Sequence, residues 1–284
     1  MLRASLLFCL VSTFYAFCVV RPQDEFRPPV ADVDISYVLE DKPYGLHEPV
    51  VLTFNASNRQ PNTIVLDLGQ NRENGFFFRL LRPDGTTADS PPFTRNGISL
   101  MGTALLHSGE SLSQELILND RFQFNVPGKY KIAGHLAQEI TDEKGVKLGS
   151  DAGFRKDLEI VPRDESSLRK VCQALTDHLE RSNSYSGAAL AARELAIIDD
   201  PVAVPFLDKA LRADRLVDPF IITALVRIGN EEAAKVLIAA LNGKTGAAAD
   251  AASHGLAQIR SHTNDPSLRE LIDRALRDYQ NQRS

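Results

Sequence analysis

Twelve apolar residues recur in strict register through the C-terminal part of this 284-residue chain, and no other feature restricts its fold as tightly. Leu195, Ile198, Leu207 and Leu211 form the first set. Leu225, Ile228, Leu237 and Leu241 follow 30 residues on, and Leu256, Ile259, Leu268 and Ile272 a further 31 on. A period of this length is the mark of a stacked repeat. Within each set the first two residues lie three apart and the last two four apart, the spacing of one helical face. Between the pairs stand Asp199-Asp200-Pro201, Gly229-Asn230-Glu231 and Asn264-Asp265-Pro266. Each suits a helix stop and a new N-cap, with proline tolerated in the first turn because its missing N–H is not needed there. The unit is helix–turn–helix. One such pair is too small to bury its own apolar face, so neighbours must stack.

The segment Ala191 to Leu207 reads AARELAIIDDPVAVPFL; Ala224 to Leu241 keeps its pattern with Asn-Glu in place of Asp-Pro, and the third unit is alanine-rich before its turn. On these residues the stretch from Glu165 to Tyr279 resembles HEAT repeats of the short bacterial kind, also found in phycobilisome lyase-like repeat proteins. The resemblance implies a curved α-solenoid that binds other macromolecules, and does not by itself imply lyase activity. Ser166 to Leu179 reads as an opening helix with Leu168, Val171, Cys172, Leu175 and Leu179 on one stripe. Pro266 to Tyr279 reads as a closing helix whose outer face pairs Glu270 with Arg274 and Asp273 with Arg277 at i,i+4.

Before residue 162 the period changes. Val33–Val38, Pro49–Ala56, Thr63–Leu68, Phe76–Leu81, Leu112–Leu118, Tyr130–Leu136 and Phe154–Ile160 alternate or run apolar, divided by turn signals such as Arg82-Pro83-Asp84-Gly85. Seven short strands predict a β-sandwich. Val126-Pro127-Gly128-Lys129-Tyr130 opens a strand and resembles the tyrosine corner of immunoglobulin-like domains, in which the phenol bonds back to nearby backbone. The expected fold is thus multidomain, all-β then all-α: an immunoglobulin-like β-sandwich over 30–162 and a short α-solenoid of HEAT-like repeats over 165–284, hinged at Pro162-Arg163-Asp164. Without paired cysteines or a tryptophan, an antibody-type domain is excluded.

Residues 1–20 stand apart. A weakly basic start precedes the nearly unbroken apolar run Leu6–Val20, too short for a span of ~20 residues and patterned as a secretory signal peptide. Cleavage after Cys18 is one reading, a retained N-terminal anchor another, a lipoprotein a third. Loss of this segment removes Cys9, Cys18 and Arg3, leaving Cys172 alone and moving the net charge from −5 to −6. An exported protein, periplasmic or extracellular, is expected, with no internal disulfide. Its mixed charges give no electrostatic footprint for nucleic acid, and no membrane partner is expected after signal cleavage.

No catalytic constellation, metal or cofactor is expected. Six scattered histidines lack ligand spacing, no Gly-x-Ser-x-Gly elbow exists, and Gly243-Lys244-Thr245-Gly246 lacks the upstream glycine of a phosphate loop. Asp32 and Asp34 share a strand face without a third acidic ligand. Cys172 reads as a buried structural thiol. Asn55-Ala56-Ser57 is an N-glycosylation acceptor, relevant only to a eukaryotic secretory route. The expected function is a binding or scaffold protein that engages a protein partner. Two columns facing away from Leu195 and its equivalents form the candidate binding ridge: Arg193, Thr223 and His254, and Ile197, Arg227 and Gln258. The alternatives are an enzyme or enzyme accessory, lyase-like by repeat resemblance, and a protease-inhibitor-like role for the loop Asp84–Gly97.

Overall fold

The computed structural model describes residues 30–69, 72–90, 102–213 and 218–283. The expected signal segment lies outside them, as does the part of the loop Asp84–Gly97 beyond Ser90. Among the described residues twelve strands come first: β1 (Val33–Leu39), β2 (Tyr44–Gly45), β3 (Val51–Asn58), β4 (Ile64–Asp67), β5 (Phe76–Leu81), β6 (Thr87–Asp89), β7 (Thr103–Leu106), β8 (Ser111–Ile117), β9 (Gly128–Leu136), β10 (Ile140–Asp142), β11 (Lys147–Gly149) and β12 (Phe154–Val161). Seven α-helices follow: α1 (Glu165–Arg181), α2 (Tyr185–Ile197), α3 (Val204–Arg212), α4 (Asp218–Ile228), α5 (Glu231–Gly243), α6 (Ala247–His262) and α7 (Pro266–Arg283).

This corrects the expected fold class. The described strands form three sheets, ordered β1-β3-β8, β11-β10-β4-β7 and β2-β12-β9-β5-β6, and this is not the two-sheet immunoglobulin sandwich. Seven helices among the described residues are few for a solenoid. The chain is mixed α/β, with strands preceding helices. The sandwich reading failed on strands too short to show a period. β2 has two residues, β6, β10 and β11 have three each, and β7 has four. Three of these, with β4, make the four-stranded sheet.

Local chemistry still sets the elements. β3 and β5 alternate buried and half-buried residues along their length, the period of a strand with one face on a core. The phenol of Tyr130 donates to the Val126 carbonyl at 2.7 Å, so the local bond expected at that strand entry is present without the immunoglobulin-like fold. The three-stranded and five-stranded sheets meet through aromatic rings: Tyr37 lies 4.6 Å from Phe154, and Phe54 lies 5.0 Å from Phe76, between centroids. Helix starts are capped by side chains that accept from exposed N–H groups: Asp164 from Ser166, Ser184 from Gly187, Asn230 from Ala233 and Asp265 from Ser267. Of the twelve register residues, all but the half-buried Ile228 are buried.

Two apolar cores result. One draws only on residues from Val30 to Ile160, the other only on Leu168 to Ile272. They are joined by the segment 162–164 and by ion pairs.

Candidate functional site

The expected ridge is not a single exposed surface. Arg193, on α2, is turned into the molecule with only 11 % of its side chain exposed. Its Nη1 and Nη2 donate to Glu73 Oε1 and Oε2 at 2.7 and 3.2 Å, and Nη2 donates to Asp120 Oδ2 at 2.7 Å. Helical period gives the direction in which Arg193 leaves its helix. It does not say that the strand core covers that side. Ile197 is half-buried, while Thr223, Arg227, His254 and Gln258 are exposed. Three of these side chains bond within the helical part. Thr223 Oγ1 donates to the Pro219 carbonyl at 2.7 Å, and His254 Nδ1 to the Asp250 carbonyl at 2.7 Å. Arg227 bonds the Ala196 carbonyl and pairs with Asp199 at 3.3 Å.

Around Arg193 lies a cluster of charges. Glu73, between β4 and β5, has 7 % of its side chain exposed. Arg121 bonds the Glu73 carbonyl and sits over the Phe78 ring at 5.4 Å. Glu194, next along α2, has its carboxyl pushed up to about 7, first by burial and then by Glu115 of β8, against the pull of Arg193. A second pair ties the linker to the turn after α2. Arg163 Nε and Nη2 donate to Asp200 at 2.5 and 3.0 Å, while Asp200 Oδ1 caps Val202 at 2.9 Å. The Arg163 hydrogen bond holds the Asp200 carboxyl below its usual range.

A different concavity opens on the outer face of the five-stranded sheet, a cleft of about 460 Å³. It follows from alternation on three neighbouring strands. Phe76, Phe78 and Leu80 point into the core, so Phe77, Arg79 and Leu81 point out; Tyr130 and Ile132 point in, so Lys131, Ala133 and His135 point out; Leu158 and Ile160 point in, so Arg155 and Asp157 point out. The register sets Arg79 opposite Ala133 and Ala133 opposite Arg155, with Phe77 opposite His135 and Lys131 opposite Asp157. Neighbouring strands lie ~4.8 Å apart, so the two arginines rise about 10 Å apart on either side of a methyl floor. Gly134 lets the sheet close on its core here, since a Cβ would come within 2.4 Å of the Phe78 ring and 2.8 Å of Phe154.

The walls of the cleft are cationic and aromatic. Arg79 holds Asp89 through two bonds of 2.6 and 3.1 Å, which fixes its guanidinium and draws the Asp89 carboxyl down. The same guanidinium stands 5.8 Å from the Phe77 ring, and Phe77 lies 5.3 Å from His135. Arg79, Lys131 and Arg155 thus gather around one small-residue trough in a chain whose net charge is −5. Sequence reasoning missed these residues. Their alternation is visible in the sequence, but their meeting depends on the order β12-β9-β5, which joins distant segments.

The other candidates separate. Cys172 is buried on α1 with its thiol pushed up to about 12, chiefly by burial and then by Asp200. Asp34 pairs with Arg59, and Asp32 holds a positive φ of 57° in a turn. Gly243 closes α5, and Lys244, beyond it, pairs with Asp218 at 3.2 Å. Among the described residues no group of three or more histidines, cysteines and carboxylates is placed to hold a metal. No described helix is long and apolar enough to cross a membrane.

No family model and no curated protein matches the chain. Among solved structures it is similar to the putative ApaA protein from Bordetella pertussis, at 12 % identity and a TM-score of 0.28 over 46 % of this chain and 95 % of that one. A β-glucosidase from Listeria innocua in complex with laminaribiose matches at 11 % identity and a TM-score of 0.26, over 46 % of this chain and 16 % of that one. The alkylpurine DNA glycosylase AlkC from Pseudomonas fluorescens matches at 16 % identity and a TM-score of 0.24, over 46 % of this chain and 31 % of that one. This chain therefore spans a minor part of either enzyme. Similarity this low carries no functional argument.

Proposed function

We propose that this is an exported, non-catalytic binding protein whose contact is with an acidic segment of a protein partner, seated on the outer face of β5, β9 and β12. Export rests on the pattern of residues 1–20. The observation that carries the contact is the row Arg79–Ala133–Arg155. Two guanidiniums flank a floor with no bulk, and Lys131 and the Phe77–His135 wall complete the trough. Arg79 spends its fork on Asp89 and so adds positive potential to the trough, and carboxylates are drawn by charge towards Arg155 and Lys131. Arginine and aromatic side chains in a concave patch are also what protein contacts concentrate. The single methyl of Ala133 leaves room for a main chain to lie between the cations. Asp157 at one end sets a direction, because an acidic group of the partner is repelled there.

The test is a calorimetric titration of the full chain with an oligoglutamate peptide, repeated for Arg155→Glu and Lys131→Glu. Saturable binding that weakens at least roughly tenfold in each variant, and falls with added salt, supports the reading. Absence of binding, or binding that both variants leave unchanged, overturns it.

A further inference from the structure

The outward positions of β9 run Lys131, Ala133, His135 along the floor of the cleft on the five-stranded sheet. Lys131 and His135 stand about 13 Å apart, four residues at ~3.4 Å each. Arg79 is committed to Asp89. The side chains of Lys131 and His135, by contrast, make no hydrogen bond or ion pair among the described residues. We propose that His135 is the acid-sensing contact of this cleft: as the imidazolium it takes a carboxylate of the acidic segment, and as the neutral imidazole it releases that carboxylate. The inference rests on an acidic segment occupying the cleft, and adds the condition under which that segment is held.

Three observations carry it. The first is position. His135 is exposed, and the register sets it opposite Phe77 of β5. On its other side stands Gly153, which holds a φ of 64° and would bring a Cβ within 2.8 Å of the Gly134 carbonyl oxygen and 3.3 Å of the His135 Cβ. That conformation and that space both call for glycine. The imidazole is therefore walled by Phe77 on one side and has no side chain at the Gly153 position on the other. The second is the aromatic wall. The Phe77 ring lies 5.3 Å from His135 and 5.8 Å from the Arg79 guanidinium. The negative face of such a ring favours cations beside it. The third is the charge inventory around the imidazole. β5 offers Arg79, β9 offers Lys131, and β12 offers Arg155, Lys156 and Asp157. From the core side the buried Asp151 carboxylate acts on His135, but it is engaged by the Tyr37 phenol and by the Leu136 N–H at 3.0 Å. Burial raises the Asp151 carboxyl, and the variants below separate it from His135. Lysine and arginine keep their charge from pH 5 to 8, while histidine changes its charge there. His135 is the one histidine among the described residues that line the cleft.

The sign follows from linkage. A carboxylate bound beside the ring favours the imidazolium, so binding takes up a proton. Affinity is greatest below the range in which histidine titrates and falls as pH rises through it. One charged contact of this kind in an open cleft changes affinity by up to about fivefold.

The experiment is calorimetric titration of the full chain with an oligoaspartate peptide at pH 5.5 and at pH 8, at one ionic strength. Aspartate carboxyls are ionised at both. The parent chain should bind about fivefold more tightly at pH 5.5. His135→Gln should bind at both pH values as the parent does at pH 8, and His135→Lys as the parent does at pH 5.5. Equal affinity of the parent at the two pH values, still weakened by Arg155→Glu, would overturn the proposal while leaving the acidic contact in place. So would a His135→Gln chain that keeps the parent's pH dependence. Absence of binding at either pH would overturn the acidic contact and the proposal together.

Discussion

Cys172 illustrates how burial decides chemistry at a single residue. It lies on the inner stripe of α1 with its thiol pushed up to about 12. Thiolate, not thiol, attacks electrophiles. At pH 8 an aromatic disulfide reagent should therefore label the Cys172 peptide only as fast as the chain unfolds, and at once in denaturant. Rapid labelling of the folded chain would remove Cys172 from the core. Tyr130 makes a second residue-scale prediction. Its ring packs edge-on to Phe124 at 5.5 Å, and its hydroxyl serves the Val126 carbonyl. Tyr130→Phe keeps the ring and loses the bond, so urea unfolding should show a loss of about 1 kcal/mol. This bond was legible in the sequence because its two ends lie four residues apart. Arg193 was not legible, because the carboxylates that hold it come from Glu73 and Asp120, far back in the chain.

Among the elements, legibility follows length and locality. Helix starts are written in the residues that make them. Asn230 closes the turn between α4 and α5 by accepting from Ala233 N–H at 2.8 Å. Asn230→Ala should cost ~0.5–2 kcal/mol in thermal or denaturant unfolding; a neutral substitution would mean that water caps α5 equally well. The long strands β3, β5 and β9 declared themselves through alternation. β7, β10 and β11 did not, since three or four residues give no period to read. β7 and β10 pair with β4, and β11 with β10, and the sheet they make sets this fold apart from the immunoglobulin-like sandwich. The expected Asp273–Arg277 pair shows the same limit in a helix: Asp273 instead meets Arg260 of α6, a neighbour the i,i+4 rule does not see.

At the scale of the whole molecule, two apolar cores are tied by a few buried charges. One of them carries a cationic trough on its outer sheet. The ridge expected on the helices and the trough found on the strands make different claims about where a partner sits. Chemical-shift mapping of the isotopically labelled chain with the oligoglutamate peptide separates them most directly. Shifts should cluster at Phe77, Arg79, Lys131, Ala133, His135 and Arg155. Shifts gathered instead at Thr223, Arg227, His254 and Gln258, or no shifts at all, would contradict the trough as the contact.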